Sequence, residues 1–170
     1  MSVVKKGIAW FPVENDSVGT RVGGNAPDIL MEHWPFFEGS PLPFLGQLVC
    51  DDEPTVYLFL ANDGTQSWQP QNGANAVLVE GSWEVGDWIE TKPVDSLSAP
   101  LYCEQAFAPE TMNTSPKWLQ GEEEQPGFDF IFQIPSQIDG AEAINIGNAY
   151  GDAYVFLSED GTTGRMLWQA

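Results

Sequence analysis

Residues 57–65 read YLFLANDGT and residues 154–162 read YVFLSEDGT. Upstream of each stands a second matching piece, FLGQL at 44–48 and FIFQI at 130–134. Each half runs in the same order: an aromatic-aliphatic segment with a central glutamine, a hydrophobic strand, then an Asp-Gly turn. Matching pieces in matching order are the signature of an internal repeat. Along a strand the side chains alternate, so Tyr57 and Phe59 point one way and Leu58 and Leu60 the other. A strand apolar on both faces is covered on both sides. The expected fold is therefore mainly β (α+β, with minor helix). It is expected to be internally duplicated, a pseudo-two-fold, sandwich-like β domain.

The chain has 170 residues, the size of one domain. Residues 1–170 are expected to form one unit of two related halves, about 7–70 and 116–170, joined by a connecting region at 71–115. Gly (17) and Pro (13) favour short strands and turns over long helices. The pattern predicts strands at 7–13, 44–50, 55–61, 76–80, 128–134, 154–158 and 165–169. A bent strand is expected at 82–90, and a strand or loop at 141–147. Residues 14–28 and 91–116 read as irregular. One helical turn is expected after Ala26-Pro27-Asp28, and Pro35, Pro41 and Pro43 stop anything longer. Asp63-Gly64 and Asp160-Gly161 read as hairpin turns.

Five pieces, GGNAPDIL…HWP (23–35), PLPFLGQL (41–48), PKWLQ (116–120), FDFIFQI (128–134) and GDAYVFLSEDG…GRMLWQ (151–169), run in the order found in the YwqG-like family of bacterial proteins, which the chain resembles. The resemblance implies a mostly β fold with internal pseudo-symmetry. It also implies kinship with proteins of which some look like immunity proteins that neutralise toxins of bacterial competition. Many members carry paired cysteines before the second Phe-rich strand; here that place reads EEEQPGFDF.

Charge is the second large signal. Against 25 acidic residues stand 6 Lys and Arg, for a formal net charge of −19. Such a surface repels nucleic acid and anionic membranes and draws basic partners. The opening MSVVKKGIAWFPVEND has no apolar run that reads as an export signal, and no stretch reaches the length of a membrane helix. The expectation is a cytoplasmic protein with Cys50 and Cys103 reduced.

Catalytic constellations are not apparent. The single histidine, His33, sits in Glu-His-Trp-Pro and reads as structural; one histidine rules out a multi-histidine metal site. No G-x-S-x-G supplies a nucleophile. Asp51-Asp52-Glu53 and Glu122-Glu123-Glu124 lack the spacing of a calcium loop and read as solvated turns. The glycine-rich GTRVGG at 19–24 lacks the P-loop lysine and reads as a loop. Gln47 and Gln133 hold equivalent places in the repeat among apolar neighbours, so each needs a buried hydrogen-bond partner. No cofactor and no metal are expected.

The function expected is that of an immunity protein or antitoxin, binding a cationic toxin domain. Its charged contacts are Asp51, Asp52, Glu53, Glu84, Asp87, Glu90, Glu122, Glu123 and Glu124, and its aromatic anchors Trp83 and Trp88. The alternatives are a small-ligand binder or enzyme with a cleft between the two halves, and a housekeeping protein.

Overall fold

The computed structural model describes residues 8–61, 74–112, 115–123, 125–135, 138 and 151–169. In chain order their strands are β1 (Trp10–Val13), β2 (Arg21–Val22), β3 (Trp34–Phe37), β4 (Ser40–Pro41), β5 (Phe44–Leu48), β6 (Val56–Leu60), β7 (Asn75–Val79), β8 (Ile89–Lys92), β9 (Ala106–Pro109), β10 (Phe128–Ile134), β11 (Asp152–Ser158) and β12 (Gly164–Gln169). One short 3-10 turn, Asp28–Glu32, buries Leu30. The fold is mainly β. Its sheets run β1-β9-β2-β5-β6-β7, β10-β11-β12 and β4-β3-β8, and every ladder between named strands is antiparallel.

The repeated pieces form two meanders, β5-β6-β7 and β10-β11-β12, whose registers match residue for residue. Gln47 faces Tyr57 and Gln133 faces Tyr154. Leu48 faces Val56, and Ile134 faces Ala153. Each first strand carries an irregularity just before its glutamine, between Phe44 and Gly46 and between Phe130 and Phe132. In the third strands Leu78 pairs with Tyr57, and Leu167 with Tyr154.

Alternation sends the two faces of each meander to different places. Leu45, Leu58 and Val77 of the first, with Phe132, Val155 and Met166 of the second, enter one shared core. Tyr57, Phe59 and Leu78 face away into a cluster around Trp34. Tyr154, Phe156 and Leu167 likewise face away, and Trp118 packs against them.

Several expectations need correction. Asn75–Val79 completes the first meander, although the boundaries set above placed it in the connecting region. Within 14–28, Arg21–Val22 is a strand bridging β5 and β9. Its approach is close: a Cβ on Gly46 would overlap the Arg21 carbonyl, so only glycine fits there. Residues 91–116 contain β9, which ends at Pro109, where the missing N–H interrupts no further pairing. Only Ile89 and Glu90 of the supposed bent strand at 82–90 are extended, because the Trp83 N–H donates to Val79 O at 3.1 Å and turns the chain. Trp34–Phe37, which contains Pro35 and for which no element was expected, is a strand. Asp63-Gly64 and 141–147 lie outside the described residues.

Candidate functional site

The registers of β2, β5 and β6 align Arg21, Gln47 and Tyr57 in one row across three strands. The row lies on the face turned away from the shared core, and all three residues are buried. A buried guanidinium must be paired or hydrogen-bonded. The Arg21 Nε donates to Ser17 O at 2.9 Å, Nη1 to Gly23 O at 2.5 Å and Nη2 to Asn25 O at 2.5 Å. Gln47 Nε2 donates to Ser17 O at 3.3 Å and Gly19 O at 2.9 Å. The two side chains thus hold the 17–25 loop by its carbonyls. Burial lowers the Arg21 pKa, and the nearby Asp16 carboxylate partly offsets this. Among the described residues no carboxylate lies within ion-pair distance of Arg21; Glu90–Lys92, at 3.0 Å, is the ion pair they contain.

Tyr57 ends the row. Its hydroxyl donates to Glu80 Oε1 at 3.2 Å. Burial first, then the Glu80 charge, push its phenol up to about 12. Its ring lies parallel to Trp83, with centroids 6.2 Å apart, and His33 stacks on Trp83 at 4.3 Å and 8°. Trp83 has φ of +55°, a left-handed conformation that costs a bulky residue on the order of 1 kcal/mol or more. The stack holds it there, and His33 serves as a packing ring.

An open cleft of about 550 Å³ lies over this row. Its lining includes Asp16, Asn25 and Asp28 beside Arg21, Gln47 and Tyr57. A cavity of about 230 Å³ adjoins it and shares Asp16, Asn25, Ala26 and Asp28. The ligand cleft considered above was to lie between the halves; this one is lined wholly by residues of the first half.

The second meander keeps the glutamine–tyrosine pair but surrounds it differently. Gln133 Oε1 accepts the Lys117 N–H at 2.7 Å, and its Nε2 donates to Lys117 O at 3.1 Å and Asp152 Oδ2 at 2.8 Å. The Tyr154 hydroxyl donates to Lys117 O at 2.6 Å. Trp118 stacks on Tyr154 at 4.4 Å. No arginine occupies the place that Arg21 holds in the first half.

The expected partner contacts separate into groups. Asp51, Asp52 and Glu53 are exposed in the turn between β5 and β6. Glu84 Oε2 accepts Thr163 Oγ1 at 2.8 Å, so the loop after β7 meets the turn between β11 and β12. A Cβ on Gly161 would lie 3.9 Å from Glu53 Oε2, which brings the 51–53 turn to that same place. Exposed Glu159 and Asp160 belong to the same end, and hydrogen bonds from Ser158 and Thr162 lower the Asp160 pKa. Glu122 and Glu123 lie elsewhere: Glu123 Oε1 accepts Gln169 Nε2 at 3.2 Å, at the opposite end of β12 from Gly164. Six strand residues put those ends roughly 17 Å apart. Glu124 lies outside the described residues. Glu90 is engaged by Lys92. Asp87 and Trp88 are exposed in the turn before β8, Trp88 at 68%. Trp83 is half-buried in its stack and makes no ring contact with Trp88.

The reading of the sequence passed over Arg21, Asp16, Asn25 and Asp28. The available signal was Arg21 itself, one of 6 cations in an acidic chain, set among Gly and Val. Among the described residues, no group of three His, Cys, Asp or Glu could hold a metal ion, and no helix is long and apolar enough to cross a membrane. Comparison with family models, curated proteins and solved structures returns no match.

Proposed function

We propose that the protein is an immunity protein that binds a basic toxin domain through the acidic end around the β11–β12 turn. One observation carries this reading. Exposed carboxylates from three separate turns (Asp51, Asp52 and Glu53; Glu84; Glu159 and Asp160) gather at one end. Among the described residues no Lys or Arg lies within ion-pair distance of any of them. Uncompensated like charges raise the local potential and speed the arrival of a cationic partner. The resemblance to the YwqG-like family supports the same reading. So does the net charge of −19. We place the protein in the cytoplasm, where its toxin would act on nucleic acid or a nucleotide and would carry a basic face for phosphate. Exposed Trp88, which follows Glu84 closely in sequence, is our choice of aromatic anchor for the contact. The matched registers support descent of the two meanders from one duplicated unit, related by an approximate two-fold.

The test is co-expression with the products of the neighbouring genes, followed by stopped-flow association of this protein with any toxin found among them. Reversing Asp51, Asp52 and Glu53 to Lys should slow association about tenfold or more at low salt, because steering is screened beyond a Debye length of about 8–10 Å. The same reversal at Glu122 and Glu123 should have little effect. Failure to protect any cell from a neighbouring toxin would sink the immunity reading. Equal association rates for the two variants would sink the choice of face.

A further inference from the structure

We infer that the cleft over Arg21 binds a small zwitterion, a free α-amino acid, with its carboxylate on Arg21 and its ammonium between Asp16 and Asp28. Charge of both signs lies around one cavity without an ion-pair partner among the described residues. A guanidinium has five N–H groups. Arg21 is 2% exposed and uses three of them on the carbonyls of Ser17, Gly23 and Asn25, leaving two with no acceptor among the described residues. Its guanidinium lies over the Phe44 ring, 5.6 Å from the centroid, a weaker partner than a carboxylate, which it lacks there. A buried guanidinium in that condition is incomplete, because pairing is what ordinarily offsets its desolvation.

The rim has the opposite deficit. Asp16 and Asp28 are exposed and line both adjoining cavities. The Asp16 Oδ1 accepts Asn25 Nδ2 at 3.0 Å, and no Lys or Arg lies within ion-pair distance of either carboxylate among the described residues. The Asp28 carboxylate makes no hydrogen bond among those residues.

Charge then selects the ligand. An anion would suit Arg21 but would have to approach a protein of net charge −19 past Asp16 and Asp28. A simple cation would suit the rim and leave the guanidinium unpaired. A neutral zwitterion meets no net repulsion at long range and completes both ends at short range. A carboxylate on a guanidinium also makes short, charge-assisted hydrogen bonds. The volume, about 550 Å³, falls in the range of small-molecule clefts, roughly 300–1,000 Å³. Val18 and Val49 give part of the wall an apolar surface for the ligand's side chain. This inference does not rest on the basic-partner reading, whose acidic end is formed by other residues.

The experiment is thermal denaturation of the full chain with each of the proteinogenic L-amino acids in turn. The best of them is then compared with its amide, which lacks the carboxylate, and its N-acetyl derivative, which lacks the ammonium. A binder at tenfold excess over its Kd should raise the melting temperature by about 3–6 °C, and above Kd the rise should grow with the logarithm of its concentration. Both derivatives should lose most of that shift. Asp16→Asn with Asp28→Asn, two exposed substitutions that leave the fold intact, should weaken binding at least about tenfold, the loss of charge-assisted contacts. The proposal is overturned if no amino acid gives a shift that follows this logarithmic dependence. It is equally overturned if the N-acetyl derivative binds as well as the parent, which would mark an anion site, or if the amide does, which would mark a cation site. Full binding by the double Asn variant would also overturn it.

Discussion

Replacing Gly164 with Ala tests whether the two meanders meet as tightly as their shared core requires. Gly164 opens β12, is buried and pairs with Leu157. Its backbone is not left-handed, so an alanine is conformationally acceptable and the test is purely steric. A Cβ there would overlap Val77 Cγ1 on β7 and lie 3.1 Å from Val77 Cβ. Each of β7 and β12 is an edge strand held on one side by an antiparallel ladder, which limits how far it can move away. Restricting the unfolded chain stabilises by about 0.4–1 kcal/mol, and overpacking costs about 1–3 kcal/mol. The expected net loss is about 1–2 kcal/mol, or about 2–8 °C in melting temperature for a chain of this size. Val77→Ala removes the obstructing methyls and on its own costs about 2 kcal/mol as a core truncation. In the double variant the new methyl enters the vacated space, so the loss should fall short of the sum by about 1 kcal/mol or more. Urea unfolding followed by tryptophan fluorescence gives each value from the midpoint at constant slope. Losses that add to within about 0.5 kcal/mol, or a neutral Gly164→Ala, would refute the contact.

Two further outcomes follow. Tyr57 and Tyr154 are both pushed from an ordinary value of 10.0 up to about 12, each by burial first and then by a carboxylate, Glu80 or Asp152. The folded state therefore holds these protons longer than the unfolded chain, so their contribution is complete below pH 10 and is lost as pH rises from about 10 to 12. Tyr57→Phe and Tyr154→Phe should each flatten that decline in an alkaline stability profile, and an unchanged profile in both contradicts it. Gln133→Leu should cost about 2–4 kcal/mol, because it removes the acceptor of the Lys117 N–H and takes one donor each from Lys117 O and Asp152 Oδ2. Gln47→Leu should cost less, since it deprives only carbonyls and Ser17 O keeps its bond from Arg21; urea midpoints in the reverse order count against this.

Legibility in the sequence followed the number of consecutive residues that carried a pattern. β6, β10 and β11 are runs of apolar side chains long enough to declare themselves, and Phe128–Ile134 matches expectation at both ends. β2 is two residues long and exists because β5 and β9 flank it, which no local pattern can express. The 82–90 stretch has a mixed periodicity that allowed a bent strand, yet the stack on His33 and Tyr57 holds Trp83 left-handed and turns the chain. That is a tertiary override of local preference. The candidate sites divide in the same way. Gln47 and Gln133 were visible because a polar residue recurred inside an apolar run. Asp16, Arg21 and Asp28 carry no shared spacing; the fold alone gathers them around one cleft. The acidic runs were visible as charge, but their distance from one another was set by the two ends of β12.

The most instructive contrast lies between two sites that the repeat would make alike. Both halves set a glutamine opposite a tyrosine, at the same register and after the same irregularity. In the second half Lys117 closes over the pair with three backbone hydrogen bonds, and Trp118 lies flat on the tyrosine. The polar atoms of Gln133 and Tyr154 are turned to holding the chain together. In the first half the glutamine binds only carbonyls of a neighbouring loop, a guanidinium takes up more of them, and the space above stays open. A buried cation is a costly way to fasten a loop, since a neutral donor such as Gln47 does the same with less desolvation. If Arg21 served only to hold residues 17–25, the second half shows that backbone and amide groups suffice for such a task. The presence of a charge, in the half that keeps a cleft, is what separates a site from a scaffold here.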